Sequence, residues 1–518
     1  MQRRRRALFT VIEILAGGAL LLLLLYLARP LALRILRPAI LDQAVRDLSE
    51  KEKRELYDRL ARQSGTLFDV SPDPEVARLA KRNLEVPYKG AEVRTNNAGL
   101  RSSRPFAPRS PDVFRIVCLG DSFVFGEAGV EEDRFGDQMQ RFYATEEVRI
   151  GGRRIEVYSI GLPSWTLVQE AAYLTQKLSA YDPDLILVLT TANDIGDAYG
   201  VTGAGVMTTR FSPEHRAWGS AVFSNQQRLA FGGGEYTALT TDLSPEARAR
   251  WRKGMEALRR LVDLQEGRGG HTLLAVLEFT TDRYFLEIYK SQLAAAGIEA
   301  PVLFTDFFSS PETRLPHDGH PNAAGHAILA HHFIHGLDAL GWVAVDDDAL
   351  PPLDPRLSLD LAHPPDPELL AALRRAYVDE HLQSSIDFTR LSGEEAMGFL
   401  GGILLQRRAA GEAHPAPWAS VRSAFLLRRD PESRQVEVEI EVPPRPELLP
   451  MELVLALDGE TVLREHVESP GVRLLRAPLP PSPVTDGVVE VRLETPSYFS
   501  AIADQRMKSF RLLRARVR

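Results

Sequence analysis

With one cysteine in 518 residues, Cys118, the chain can form no internal disulfide and no Cys-based zinc site. A large core needs no such staple, so a lone thiol is compatible with a compartment outside the cytoplasm. Positive charge is also short: 62 Lys and Arg stand against 70 Asp and Glu, for a net charge of −8. That is not the basic excess of a nucleic-acid binder, and no nucleic-acid partner is expected. The sequence has no phosphate-binding loop and no dinucleotide fingerprint, so no cofactor is expected. Internal repeats are missing, and a leucine run near the start is the one low-complexity tract. What is present is the balance of a globular protein, 44% hydrophobic and 25% charged, at a length that implies several domains.

The first thirty residues carry a distinct pattern. Arg3, Arg4, Arg5 and Arg6 precede a nearly unbroken apolar run over residues 7–28, interrupted by Glu13 close to its basic end. As a helix this run reaches about 33 Å, enough to cross a hydrocarbon core. It is longer than the apolar part of a cleaved signal and shows no clear small-residue cleavage site. The expectation is a short cytoplasmic tail (residues 1–6) and an uncleaved single-pass membrane anchor (residues 7–28). Everything beyond lies outside the cytoplasm, in the periplasm or extracellular space, although Arg29, Arg34 and Arg37 nearly offset the N-terminal cluster.

Leu41, Val45, Leu48, Leu56 and Leu60 recur at helical spacing among charges, which predicts a helical stalk and linker over residues 29–110. The pattern then alternates. Short apolar runs at 113–119, 155–160, 185–189 and 271–277 predict strands. Segments near 135–143, 166–180, 246–264 and 321–340 predict helices. Uninterrupted apolar strands between helices imply βαβ units around a buried parallel sheet, hence an α/β domain over residues 111–345. A Pro- and Asp-rich linker carrying a helix near 368–382 follows, over residues 346–394. Beyond it, strict alternation at 435–442 and an Asp458-Gly459 hairpin turn between 451–457 and 461–467 predict strands, as do 488–493 and 510–517. These point to an all-β sandwich over residues 395–518.

The chemistry gathers at strand ends. The first strand runs into Gly120-Asp121-Ser122-Phe123-Val124-Phe125-Gly126, which sets a serine on a glycine-flanked turn. In an open α/β sheet, ligands bind beyond the carboxyl ends of the strands. A serine hydroxyl there needs a base, and the candidate lies in His317-Asp318-Gly319-His320-Pro321-Asn322, just before the last helix. A carboxylate beside that imidazole would fix its tautomer. Gly161 after the second strand and Asn193 after the third could donate to a developing oxyanion. The first three strands thus each end in a residue type that ester cleavage uses.

These four segments resemble the blocks of the SGNH (GDSL-like) hydrolases: Gly-Asp-Ser, a glycine, Gly-x-Asn-Asp and Asp-x-x-His. The resemblance covers most of residues 111–345. It implies a three-layer α/β/α, flavodoxin-like domain with Ser122 as nucleophile, His320 as base and Asp318 as its orienting carboxylate. The oxyanion hole it implies is the Ser122 N–H, the Gly161 N–H and the Asn193 amide. Two departures stand out: Thr191 replaces the usual glycine of the third block, and the last block is one residue shorter, Asp318-Gly319-His320.

Competing readings are weaker. His317 is an alternative member of the site. His331 and His335 have i, i+4 spacing, but no accompanying carboxylate suggests a metal, and none is expected. Cys118 reads as a packed strand residue. An ordinary α/β-hydrolase would need Gly-x-Ser-x-Gly, whereas Ser122 lies in Gly-x-Ser-x-Val. The expected activity is therefore a membrane-anchored serine ester hydrolase acting on an acylated small molecule or polysaccharide. Two alternatives keep the architecture: an O-acyltransferase that acetylates an exopolysaccharide, or an inactive SGNH scaffold. An anchor, an SGNH domain and a β-sandwich together resemble proteins that modify cell-envelope polysaccharide, such as alginate-type O-acetylation machinery. The last domain is then a candidate carbohydrate binder, with Trp418 and Tyr498 as possible stacking residues.

Overall fold

The computed structural model describes residues 67–518 apart from 74, 89–90, 164, 196–199, 202–206, 209–240, 278–282, 306–310, 316–319, 355–358, 360, 362–363, 392–397, 405–415, 481–486 and 499–507. The expected tail, membrane anchor and first part of the stalk lie outside the described residues. Among those described, no helix is long and apolar enough to cross a membrane.

Uninterrupted apolar runs have no solvent face, so their strands must be covered on both sides. Five largely buried strands form the parallel sheet: β1 (Val113–Gly120), β2 (Arg153–Gly161), β3 (Leu185–Thr191), β4 (His271–Leu277) and β5 (Val302–Thr305). Their order is β5-β4-β3-β1-β2, with the short antiparallel strand Arg149–Ile150 on the outer edge of β2. The chain thus winds outward from β1 on one side and returns past it to β3 on the other. This is the flavodoxin-like order, and its switch point lies between β1 and β3.

Helices cover both faces. Alternate residues of β1 divide between two cores, Val117 and Leu119 in one and Phe114, Ile116 and Cys118 in the other. The first core is completed by α3 (Leu167–Tyr181), α4 (Pro245–Glu266) and α5 (Tyr284–Ala296). The second is completed by α2 (Phe135–Thr145) and α6 (Ala323–Ala339). A one-turn helix, α1 (Ser122–Phe125), follows β1 directly. The expected three-layer arrangement is present.

The stalk helix expected from Leu41 to Leu60 lies outside the described residues, and over residues 67–110 the expected linker is instead folded. No helix occurs among its described residues; instead Phe68–Val70 pairs with Arg78–Ala80, and Glu85–Tyr88 with Ala91–Arg94, as antiparallel ribbons. They are docked: Leu67, Phe68, Val76, Val93 and Leu100 join the first core, and Gln169 donates to the Val76 carbonyl at 2.8 Å. Arg101 anchors the following segment. Its guanidinium, buried beneath the loop after α1, donates to the carbonyls of Phe125, Gly126 and Gly129. Burial, and then the nearby Arg134 charge, lower its pKa to about 10.

The expected linker is also packed. Its helix, α7 (Pro367–His381), sets Tyr377 against Tyr284 of α5, with ring centroids 5.6 Å apart. Leu350, Leu353, Leu359 and Leu361 pack against the second core. The C-terminal strands form one connected nine-stranded antiparallel network, in place of two separate sheets, around a single apolar core. It begins before the expected boundary, because Ser385–Asp387 pairs with Arg511–Val517. The Asp458-Gly459 turn has φ of 49° and 86°, the left-handed pair that a tight hairpin demands. Leu426 and Val488 of this domain share the first core with the α/β helices. Glu246 of α4 meets Arg422 at 2.8 Å across the junction.

Arg101→Ala would strip donors from three carbonyls under the α1 loop. Urea denaturation is expected to show a loss of about 2–4 kcal/mol, with the loop perturbed as well.

Candidate active site

Ser122 opens α1, where β1 leaves the sheet. Asp121 caps that turn: its Oδ1 accepts from the Phe123 N–H at 2.9 Å. Gly126 closes it in the left-handed region (φ 72°), its N–H donating to the Ser122 carbonyl. The hydroxyl sits within reach of two groups, His320 Nε2 at 2.8 Å and Asp121 Oδ2 at 3.0 Å. A hydroxyl has one proton, so it donates to one of them at a time.

His320 arrives from the loop before α6. Asn322 fixes that loop, accepting from the Gly325 N–H at 3.0 Å and donating to the carbonyls of Glu312 and Arg314. The imidazole lies against Phe123, with ring centroids 5.0 Å apart. Asp318 and His317 lie outside the described residues. A carboxylate that the sequence reading missed is beside the ring: Glu127 Oε2 stands 3.3 Å from His320 Nε2. Its other oxygen accepts from the Tyr88 hydroxyl at 3.0 Å. Glu127 directly follows Gly126 at the end of the serine block, a position that could have signalled it. Tyr88 had no sequence signal.

Asn193 follows β3 in a single turn of 3-10 helix and is held at both ends of its amide. Oδ1 accepts from the Thr191 hydroxyl at 2.6 Å, and Nδ2 donates to Asp121 Oδ2 at 2.8 Å. The first bond fixes which way the amide points, and a second Nδ2 hydrogen remains for another acceptor. Thr191, the departure from the family pattern, therefore orients Asn193. Gly161 ends β2 in register with Gly120. A Cβ there would lie 2.6 Å from the Asp121 carbonyl oxygen and 2.8 Å from that of Gly120, so only glycine allows this approach. The structure thus brings Ser122, His320, Gly161 and Asn193 to one place, at the switch point of the sheet.

Beneath them lies a layer of buried acids. Asp121, Glu170 of α3 and Asp194 are all essentially inaccessible. Burial raises the pKa of each, and the charge of Asp121 raises Glu170 further. Hydrogen bonds from Phe123 and Asn193 oppose the rise at Asp121. Among the described residues, neither Glu170 oxygen has a hydrogen-bond partner. Desolvated carboxylates at close quarters cannot all ionise, so Glu170 keeps its proton well above the ordinary carboxyl range. Three histidines of α6 have other partners: His332 bonds Thr305 at 2.9 Å, and His331 and His335 meet the carbonyls of Pro352 and Pro351. No group of residues able to hold a metal occurs among the described residues. Cys118 is buried, its thiol pushed up by desolvation.

No family model matches the chain. No curated protein matches it either. Among solved structures it is similar to a two-domain esterase active on acetylated mannans, crystallised with mannopentaose, at 14% identity and TM-score 0.29, over 78% of this chain and 90% of that one. It is also similar to TesA, at 14% identity and TM-score 0.28, over 44% of this chain and 99% of that one. An acetyl xylan esterase matches at 14% identity and TM-score 0.28, over 43% of this chain and 100% of that one.

Gly161→Ala is expected to push the Asp121–Ser122 turn out of place. Its signature is a fall in kcat of about 100-fold, far larger than the accompanying change in Tm. The buried acid gives a pH test. An acid with a raised folded-state pKa stabilises the fold fully below its unfolded pKa, and that contribution is lost as pH climbs toward the folded value. Glu170→Gln should therefore raise Tm more at pH 8 than at pH 5, by about 2 °C or more between the two.

Proposed function

We propose that the protein is a serine ester hydrolase of the SGNH type. The observation that carries this reading is the 2.8 Å contact between Ser122 Oγ and His320 Nε2 at the switch point, with the Asn193 amide and Gly161 alongside. Ser122 Oγ attacks the acyl carbonyl carbon and passes its proton to His320 Nε2. The oxyanion is received by the Ser122 and Gly161 N–H groups and by the free hydrogen of Asn193 Nδ2. His320 returns the proton to the departing alcohol. Water then attacks the acyl-enzyme through the same imidazole, releasing the acid and restoring Ser122. Asp318 is proposed to orient His320, on the Asp-Gly-His spacing of the sequence.

The substrate class proposed is an acylated carbohydrate. The C-terminal domain supports this with a groove of about 730 Å³, lined by Tyr498, Val454 and Pro496 with Arg422, Arg464 and Glu494. Aromatic and apolar surface flanked by charged hydrogen-bonding groups is the chemistry that grips sugar rings. The proposal extends to location: residues 7–28 anchor the chain, and the catalytic domain works outside the cytoplasm on envelope material. The apolar run behind four arginines supports this part.

A chromogenic acetyl ester tests the reaction. The full chain should turn it over, and Ser122→Ala and His320→Ala should each lower kcat by about 1000-fold or more. Product that forms only when a polysaccharide acceptor is added would replace hydrolysis with acyl transfer.

A further inference from the structure

The Nε2 edge of His320 faces two oxygens. Ser122 Oγ is 2.8 Å from Nε2, and Glu127 Oε2 is 3.3 Å from the same nitrogen. An orienting carboxylate binds the other ring nitrogen, Nδ1, and takes no part in proton delivery. Glu127 therefore occupies a different position. The alcohol that leaves in acylation, and the hydroxyl that enters in deacylation, must each come within hydrogen-bond reach of Nε2. A carboxylate oxygen beside that nitrogen borders the space they use.

Glu127 is also held in place. Its side chain is 4% exposed, and Oε1 accepts from Tyr88, whose ring edge packs on Phe125 at 6.2 Å. Its backbone N–H donates to the Ser122 carbonyl at 3.0 Å. Arg101 clamps the carbonyls on either side of it, at Gly126 and Gly129. A carboxylate so fixed accepts hydrogen bonds and repels negative charge.

Resting on the hydrolase reading, we propose that Glu127 is a catalytic residue of the alcohol side of the site. It accepts a hydrogen bond from the hydroxyl that enters or leaves at His320 Nε2, and it admits neutral hydroxyl groups while rejecting anionic ones. The substrates so selected are esters of neutral sugars or polyols, not of uronic acids. In deacylation the entering O–H bonds its oxygen to the acyl carbon and gives its proton to Nε2. The Ser122 Oγ–carbon bond then breaks, and Oγ recovers a proton from the same nitrogen. Glu127 gains and loses no proton. Tyr88 is its positioning residue.

The test compares wild type, Glu127→Gln, Glu127→Asp and Tyr88→Phe on an acetylated methyl hexoside and on the matching acetylated uronide. The His320 imidazole is titrated by NMR in each protein. Glutamine keeps the bond from Tyr88 and removes the charge, so Tm should stay unchanged. Asp121 and His326 also interact electrostatically with His320, and these variants leave both in place. Glu127→Gln should raise the uronide-to-hexoside ratio of kcat/KM about tenfold and lower the His320 midpoint by about one pH unit. Glu127→Asp, which keeps the charge, should retain most of the discrimination, and Tyr88→Phe should lose part of it. Turnover with an unaltered ratio in Glu127→Gln overturns the inference and leaves the hydrolase reading standing. If the wild type turns over no ester, the hydrolase reading falls. The titration then judges Glu127 by itself: an unmoved midpoint overturns its hold on Nε2, and a lowered one sustains it.

Discussion

The contact between Ser122 and His320 joins residues 198 positions apart, and much of the α/β domain serves to make it. Ser122 is placed by the end of β1, His320 by the loop that enters α6. The limiting constraint is steric. At the carboxyl end of β1 the chain turns within the width of two glycines. Gly161 lies so close to the carbonyls of Gly120 and Asp121 that no side chain fits. Gly120 is as restricted, since a Cβ there would meet Val124 at 2.5 Å. Were either strand end pushed outward, Ser122 would leave the reach of His320.

Electrostatics adds a second layer. Asp121 is wholly buried yet receives hydrogen bonds from Phe123, Asn193 and Ser122, which favour its charged form against desolvation. Below it, Glu170 has no such support. A buried acid without partners costs stability once it ionises, so it persists as a neutral group or not at all. Asp121 and Asp194 thus share the local hydrogen bonds, and burial raises the pKa of both and of the unsupported Glu170. The loop beyond α1 is governed from outside the domain, by Arg101 and Tyr88 of the N-terminal segment. That segment contributes to the site by fixing a loop, a role beyond that of a linker.

The legible parts of this fold share a physical feature. Strands β1, β3 and β4 are predominantly apolar runs, and α3 and α4 have clear helical periodicity, so both could be read directly. The run Val302–Thr305 is only four residues long, too short to stand out, although it completes the sheet. The ribbons over residues 67–110 are short and charged on one face, and their burial comes from docking on α3. Strand Trp418–Arg428 is nearly all buried but carries Ala419, Ser420, Ser423 and Ala424, which gave it neither alternation nor an apolar run. In the site, Ser122, His320, Gly161 and Asn193 were legible because each follows or precedes a regular element. Glu127 was legible only as a neighbour of the serine block, because what matters about it is a contact with a residue far along the chain. Thr191, which read as a departure from pattern, became intelligible once its hydroxyl was seen on Asn193.

The central claim is that Ser122 is a nucleophile made reactive by His320. Covalent labelling with a fluorophosphonate, followed by peptide mass spectrometry, tests it without knowledge of the natural ester. A single adduct on Ser122, formed by the wild type and abolished in His320→Ala, is the expected result. An adduct on another residue, none at all, or equal labelling in His320→Ala would contradict the account.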